Sequence, residues 1–459
     1  MYTACIGPSL VQKTENKAVP ASYTNLQDSA NSAKLKWKDF FTDPNLVALI
    51  DSSLKKNQEL NIMLQEINIA KNEVRARKGA YIPSVGISAG ADITKTPKYT
   101  SQGASDAVDE ITSGQTVPEL LPNYGFGLGL TWEVDIWKKL RNSKNAAVAK
   151  YLSSVEGKNF MVTHLISEIA NSYYELMALD NQLEILKQNI ELYQNSLEIV
   201  KLQKQSAKVT ELAVRRFEAE VLKTQSRQFY FMQEITETEN KINYLAGRFP
   251  QPVIRSASTF SNLKPDTTFA GIPSQLLQNR PDIKQAEFDL TAAKLDVKAT
   301  KANFYPSLII NAGTGYQAFN PQYLINPQSL LYTIAGNLMT PLLNRNAIKA
   351  SYYSANSKQI QAIYNFERAI LNAHIEVVNQ LSNINNLKKS YYLKDKQVQA
   401  LNESIDISTN LFRSARADYM EVLLTQRDAL EAKMELIEAK KLQMNANVNI
   451  YKALGGGWK

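Results

Sequence analysis

Few side chains in this sequence are equipped for bond-making chemistry, and those few do not stand together. The chain carries one cysteine, Cys5, and two histidines, His164 and His374, which excludes an intrachain disulfide and leaves no recognisable metal or catalytic constellation. There is no paired-carboxylate motif, no Gly-rich phosphate loop and no Ser/His/Asp arrangement, and the nine methionines are scattered. The sequence therefore does not read as an enzyme, and no cofactor or metal site is expected. What remains is Cys5, preceded by the small residues Thr3 and Ala4. Small residues before a cysteine are what a lipoprotein signal peptidase needs, and an acylated cysteine anchors a chain to a membrane leaflet. The alternative is an unpaired thiol in a frayed terminus. No charged n-region or apolar h-region precedes Cys5, so the expectation is of a signal peptide removed or not included.

Chemistry of another kind is written between Tyr124 and Ile136. Tyr124, Phe126, Leu128, Leu130, Trp132, Val134 and Ile136 alternate with Gly125, Gly127, Gly129, Thr131, Glu133 and Asp135, the period of a strand with one apolar and one polar face. A soluble sandwich strand has the same period. Large apolar residues on one side, with glycine and carboxylates on the other, also suit a barrel whose outside meets lipid and whose inside meets water. On that reading Glu133 and Asp135 face the lumen; the alternative for both is a hydrogen bond at an interface or rim.

The rest of the chain must position that strand. Its 459 residues hold only 18 Gly and 16 Pro, so long uninterrupted elements are expected. Mean hydropathy is −0.30 and no run of about 18 apolar residues exists, so no transmembrane helix is available and any crossing must use strands. The net charge of +8 comes from lysines and arginines interspersed with glutamates along helical stretches, which are solvated faces rather than a nucleic-acid footprint. Three-four spacing of apolar residues predicts a helix over Pro44–Lys78. Strands are predicted over about 84–92, 124–136, 307–316 and 331–343, with a long solvated loop from Lys95 to Pro122. Helices are predicted over 139–206 and on to Leu245, over 283–303, and over 347–413 and on to Leu454, with breaks at Ala207–Thr210 and Ser414–Asp418. In the first long helix Leu165, Ile169, Leu176, Leu179, Leu183, Leu186, Ile190, Tyr193, Leu197 and Val200 keep a coiled-coil seam. At 1.5 Å per residue that helix extends roughly 100 Å.

These elements are one pattern written twice. Lys78-Gly-Ala-Tyr-Ile-Pro83-Ser84-Val85 answers Lys301-Ala-Asn-Phe-Tyr-Pro306-Ser307-Leu308 at an offset of 223, and Glu168-Ile-Ala-Asn171 answers Glu376-Val-Val-Asn379 at an offset of 208. The organisation is a terminal segment over 1–43, a first repeat over 44–247, a connector over 248–273 and a second repeat with the C-terminus over 274–459. Four strands cannot close a barrel, since about eight is the small end of the range. Exposed strand edges are forbidden in lipid, so several chains must share one barrel.

At this point several motifs carry a resemblance. Gly271-Ile-Pro273-Ser-Gln-Leu-Leu277-Gln-Asn-Arg280-Pro281-Asp282-Ile283 resembles the G-[IL]-P-S-x-L-L-x-x-R-P-D-I segment of outer-membrane efflux proteins. Phe304-Tyr-Pro306-Ser307, Trp132-Glu133-Val134-Asp135, Asp418-Tyr-Met-Glu-Val422, the terminal Tyr451-Lys-Ala-Leu-Gly-Gly-Gly-Trp458 and the start at Cys5-Ile-Gly7-Pro8 fit the same pattern. The chain is similar to the lipoprotein branch of the TolC superfamily, the OprM, CusC and NodT type. That resemblance implies a mixed α+β membrane protein. Its homotrimer would form a shared transmembrane β-barrel, twelve strands in all, continued by a long α-helical barrel through the periplasm. It implies outer-membrane lipid at Cys5, a periplasmic membrane-fusion adaptor, and an inner-membrane pump of the resistance-nodulation-division (RND) class. The duct would pass drugs, other toxic compounds or metal ions. In relatives the stretch after the second break often reads Y-L-x-V-L-D-A-Q-R and closes the periplasmic end. Here it reads Tyr419-Met420-Glu421-Val422-Leu423-Leu424-Thr425-Gln426-Arg427. Met420 matches the apolar gate position and Arg427 the arginine, Leu424 replaces the aspartate, and Glu421 is the candidate substitute for the lost acidic ring. The bland alternative makes Glu421 a solvated residue and Met420 and Leu424 ordinary packing. The same architecture also serves protein export, although the lipoprotein start and the Leu-Gly-Gly-Gly-Trp ending favour efflux.

Overall fold

The computed structural model describes residues 8–23, 31–256, 260, 262–263, 270–341, 345–414 and 416–458. Cys5 lies outside the described residues. In chain order the elements are α1 (Trp37–Phe40), α2 (Pro44–Lys56), α3 (Gln58–Gly79), β1 (Ser84–Thr94), α4 (Ser101–Asp106), β2 (Glu110–Thr112), β3 (Gln115–Thr116), β4 (Leu121–Val134), α5 (Lys139–Gln205) and α6 (Glu211–Leu245). There follow α7 (Leu276–Asn279), α8 (Pro281–Ala302), β5 (Ser307–Ala318), β6 (Leu330–Met339), α9 (Asn346–Arg413) and α10 (Tyr419–Ala453). Among the described residues no helix is long and apolar enough to cross a membrane.

Four local expectations need correction. The strand expected over 331–343 ends at Met339, because its partner strand begins at Ser307 and offers nothing to pair beyond it. The helix expected over 44–78 is two helices, because Asn57 turns to an extended conformation and its Oδ1 accepts from Leu60 N at 2.9 Å, which caps α3. The stretch from 95 to 122 is not an irregular loop throughout: it holds α4, capped by Thr100 Oγ1 accepting from Gly103 N, and the β2–β3 hairpin. The strand expected to reach Ile136 stops at Val134, because Asp135 caps the next helix. Its Oδ1 accepts from Leu140 N and its Oδ2 from Arg141 N, both at 2.9 Å.

Backbone proximity divides the chain into two compact units. One comprises Asn68–Leu152 and Phe288–Tyr364 with residues 8–14, and contains the six strands found among the described residues. The other comprises Glu15–Ile67, Ser153–Glu287 and Asn365–Lys459, and holds both large buried clusters. The first cluster gathers Leu46, Ile50, Ile169, Tyr173, Leu176, Ile242 and Tyr451. The second gathers Leu186, Tyr193, Leu197, Phe217, Phe231, Val422 and Leu430. Most of the seam expected along α5 lies in these two clusters; Leu183 is half-buried against the second, and Ile190 is buried outside both.

The repeat is visible in hydrogen bonds as well as in letters. At the end of α6, Gly247 adopts φ +63, Gly247 N donates to Tyr244 O and Arg248 N to Asn243 O. At the end of α10, 208 positions on, Gly455 adopts φ +87, with Gly455 N donating to Lys452 O and Gly456 N to Tyr451 O. Both are Schellman closures, which need a residue in the left-handed region. A Cβ at Gly455 would also lie 2.7 Å from Asn279 O, and one at Gly247 would collide with the equivalent Lys56 O. The neighbouring residues are equivalent too. Asn57 Nδ2 donates to Leu245 O at 3.0 Å, while Arg280 Nη1 donates to Ala453 O at 2.8 Å. Arg280 is further held by Asp282 in a bidentate pair at 3.0 and 2.7 Å and by Glu376 at 2.6 Å. Burial opposes its charge, but the two carboxylates outweigh burial and raise its pKa above the ordinary arginine value.

A third Schellman closure ends α5, where Ala207 N donates to Lys204 O and Lys208 N to Gln203 O. Here the left-handed residue is not glycine: Ala207 has φ 59. Ala207→Gly is expected to raise the urea midpoint, by the equivalent of about 1 kcal/mol per chain, whereas Gly455→Ala lowers it. Arg280→Ala leaves two carboxylates and a carbonyl unmatched and is expected to cost about 3 kcal/mol. Asn57→Ala costs about 1 kcal/mol, the value of a lost cap. Equal losses at the two positions in chemical unfolding would contradict the pairing described.

Candidate functional site

Strands β1, β4, β5 and β6 form one antiparallel sheet in that order, leaving β1 and β6 as its edges. The register puts like beside like. Val85, Leu130, Ala312 and Ile334 form one row, and Ile87, Leu128, Thr314 and Tyr332 the next. On the opposite face Gly86, Gly129, Gly313 and Thr333 form a row, followed by Ser88, Gly127, Gly315 and Leu331. One face is therefore nearly all apolar and the other small and polar. Neither buried cluster includes a strand residue, and Ile87 and Ile334 remain 83% and 81% exposed. A sandwich strand would have its apolar face covered; this sheet does not. On the small-residue face β4 and β5 approach most closely at Gly127 and Gly315, where a Cβ at Gly127 would sit 2.6 Å from Thr314 O.

Of the two carboxylates expected on the polar face, Glu133 is there and is ion-paired with Lys139. Asp135 lies past the strand's end, where its carboxylate caps α5. Sequence alternation missed Asp92, whose Oδ1 accepts from Asn123 Nδ2 at 3.1 Å while Gln317 Nε2 donates to Asn123 Oδ1 at 2.9 Å. This ladder crosses three strands. Its only sequence signal is the polar phase of each strand.

The second candidate region surrounds the breaks between the long helices. After α5 the turn leads into Glu211, which is bonded to Lys204, and that ammonium holds its carboxyl below the usual range. After α9, Arg416 N donates to Leu411 O and α10 begins at Tyr419. Glu421, Leu424 and Arg427 share an exposed face of α10, with Leu424 38% exposed and Arg427 paired to Asp428 at 3.2 Å. Met420 is not with them. It packs against the second cluster, where Arg216 Nη1 lies 3.3 Å from its Sδ. Between α5 and α10, buried Gln426 donates through Nε2 to Ser196 Oγ at 3.0 Å, and Arg227 of α6 meets Glu431 at 2.6 Å. The connector is held by Arg255, which forks onto Asp180 and also bonds Glu239. Among the described residues no group of three or more His, Cys, Asp or Glu is arranged to hold a metal ion.

The profile of the outer membrane efflux protein family matches residues 49–248 and 272–456. The solvent efflux pump outer membrane protein SrpC of Pseudomonas putida is 26% identical over 94% of this chain and 89% of its own length. The cation efflux system protein CusC of Escherichia coli is 24% identical over 99% and 97%. Among solved structures, CusC superposes with a TM-score of 0.83 at 22% identity, covering 98% of this chain and 100% of that one. The open state of the Neisseria gonorrhoeae MtrE outer membrane channel gives 0.86 at 22%, covering 99% and 98%. The fold is that of these channels, and the chain belongs to the outer membrane efflux protein family.

Proposed function

We propose that three copies of this chain close a twelve-stranded barrel in the outer membrane and continue it as a helical tunnel through the periplasm. The observation that carries the reading is the four-stranded sheet with a bare apolar face and two open edges. Lipid covers the apolar face, water fills the glycine-rich side, and neighbouring chains pair the edges. Glu133, and Asp135 at the rim, line the lower lumen. The repeats over 44–247 and 274–459 each supply one hairpin of strands and one of helices, and an acyl group on Cys5 adds a second hold on the membrane.

The assembled duct conducts passively. An inner-membrane transporter, of the RND class, and a periplasmic adaptor deliver small toxic compounds or metal ions to it, as the solvent and cation efflux roles of its relatives suggest. The periplasmic tip closes it. Glu421, Leu424 and Arg427 project from α10 toward the threefold axis, and Leu424, in place of an acidic residue, makes the closure mainly apolar. Met420 acts from behind by fixing α10 against α6.

Cysteines placed in pairs, one on β1 and one on β6 in a Cys5→Ser chain, should yield a covalent trimer in one register after oxidation in the native envelope. A ladder that ends at dimer would sink the twelve-stranded barrel. In planar bilayers the purified protein should conduct, and Leu424→Asp should raise its open probability through repulsion among three carboxylates. Conductance unchanged by both Leu424→Asp and Met420→Ala would remove the tip residues from the gate. Mass spectrometry of cross-linked envelopes should recover an adaptor and an RND pump; an ABC transporter instead would indicate protein export.

A further inference from the structure

At the helix-facing end of the sheet the apolar face stops at Trp132, Val134 and Leu308, and a cluster of aromatic and basic residues takes over. Trp137 and Tyr305 stack with centroids 4.8 Å apart. Each indole N–H is satisfied from the backbone, Trp137 Nε1 by Pro306 O at 2.8 Å and Trp132 Nε1 by Tyr81 O at 3.3 Å. The Trp137 ring remains 46% exposed. Arg141 Nη2 donates to Tyr81 OH at 3.0 Å, and its guanidinium lies 5.6 Å from the Tyr81 ring centroid. A ring whose polar edge is satisfied and whose face is open is suited to the boundary between hydrocarbon and headgroups.

The charge here is unbalanced. Trp137 is followed by Lys138-Lys139-Leu-Arg141-Asn-Ser-Lys144. Glu133 neutralises Lys139, and the Asp135 carboxylate is taken by the amides of Leu140 and Arg141. Among the described residues no carboxylate lies within ion-pair distance of Lys138, Arg141 or Lys144. Cations in the first turns of a helix also oppose its dipole. Asp135 occupies the amides of Leu140 and Arg141, so an anion seated here would be met by the side chains of Lys138 and Arg141.

We propose that this patch binds the phosphate of an anionic phospholipid in the inner leaflet of the outer membrane, with Trp137 and Tyr305 lying at the depth of the headgroup and first acyl carbons. The assignment rests on the barrel reading above, which makes the apolar face lipid-facing and this end periplasmic. A lipid is favoured over a protein partner because the basic cluster is continuous with the apolar band. The second repeat does not duplicate the site. The position equivalent to Tyr81 is Phe304, which is buried beneath Arg345 with the guanidinium 5.0 Å from its ring. One lipid per chain follows, hence three per trimer.

The test is tryptophan quenching of the full chain in phosphatidylcholine vesicles containing a minor fraction of brominated phosphatidylglycerol or, separately, of brominated phosphatidylcholine at equal bromine content. Quenching by phosphatidylglycerol is expected to exceed that by phosphatidylcholine by about fivefold, the effect of one basic side chain at an anionic surface. The excess should vanish in Trp137→Phe and fall toward unity in Lys138→Gln with Arg141→Gln, while quenching by brominated phosphatidylcholine confirms that the double variant still inserts. Equal quenching by the two lipids in the unaltered chain, or a preference that survives the double variant, overturns the site. Loss of the preference in inorganic phosphate but not in chloride at equal ionic strength replaces the lipid by free phosphate and also overturns it. Absence of quenching by either lipid instead defeats the barrel reading itself.

Discussion

The constraint on which this structure depends is the unpaired backbone along β1 and β6. Edge strands in soluble proteins are blunted by proline, lysine or bulges. Neither Ser-Val-Gly-Ile-Ser-Ala-Gly-Ala-Asp-Ile-Thr nor Leu-Leu-Tyr-Thr-Ile-Ala-Gly-Asn-Leu-Met contains a proline or a lysine, and the register beside both edges runs without a bulge. On the barrel reading proposed above, these edges are paired by neighbouring chains. In hydrocarbon each unmatched N–H or C=O would cost several kcal/mol, so a sheet with a lipid-facing surface has to be completed by other chains before it is stable there.

The helices repeat the argument in a different currency of contact. The α5 seam is buried within its own chain, whereas its counterpart on α9 is not. Ile370, Val377 and Phe412 are buried, but Ile384, Leu387, Val398, Leu401 and Ile405 are only half covered, and Tyr364, Leu371, Tyr392 and Leu393 are exposed. A lone chain thus leaves apolar surface open on the helix as well as on the sheet. Asp135 leaves the strand to cap α5, so that the ladder gives way within four residues to a 67-residue helix.

Periodic features were legible in the sequence. The alternation in β4, the coiled-coil spacing and the paired offsets of 208 and 223 are written over many residues, so no single position decides them. What escaped depended on distant partners. An asparagine costs an isolated helix little, so Asn57 gave no warning of a break that is secured by a carbonyl 188 residues away. Strand period ran on through Asp135 because alternation does not know that a cap competes for the carboxylate; an aspartate four residues before a long helix was the available sign. Helical spacing put Met420 beside Leu424, and only Arg216, 204 residues earlier, shows which way Met420 turns. The α4 and β2–β3 elements hang on one threonine cap and the turn at Gly114, signals too small to separate from a loop.

The two repeats preserve a geometry while changing its chemistry. In each, a residue at the start of a helix leading to the sheet reaches the last carbonyls of the returning helix, so that the path of each half closes on itself. The first repeat does this with a neutral amide. The second uses a guanidinium, two carboxylates and a carbonyl, bonds of roughly twice the strength. Glu168, the first-repeat equivalent of Glu376, turns instead toward His164 and Lys241 at 3.6 and 4.0 Å. The stronger closure therefore falls in the half whose long helix, α9, is less covered by its own chain. On the trimer reading proposed above, α9 is covered by a neighbouring subunit, and the Arg280 network anchors its half of the chain within one subunit.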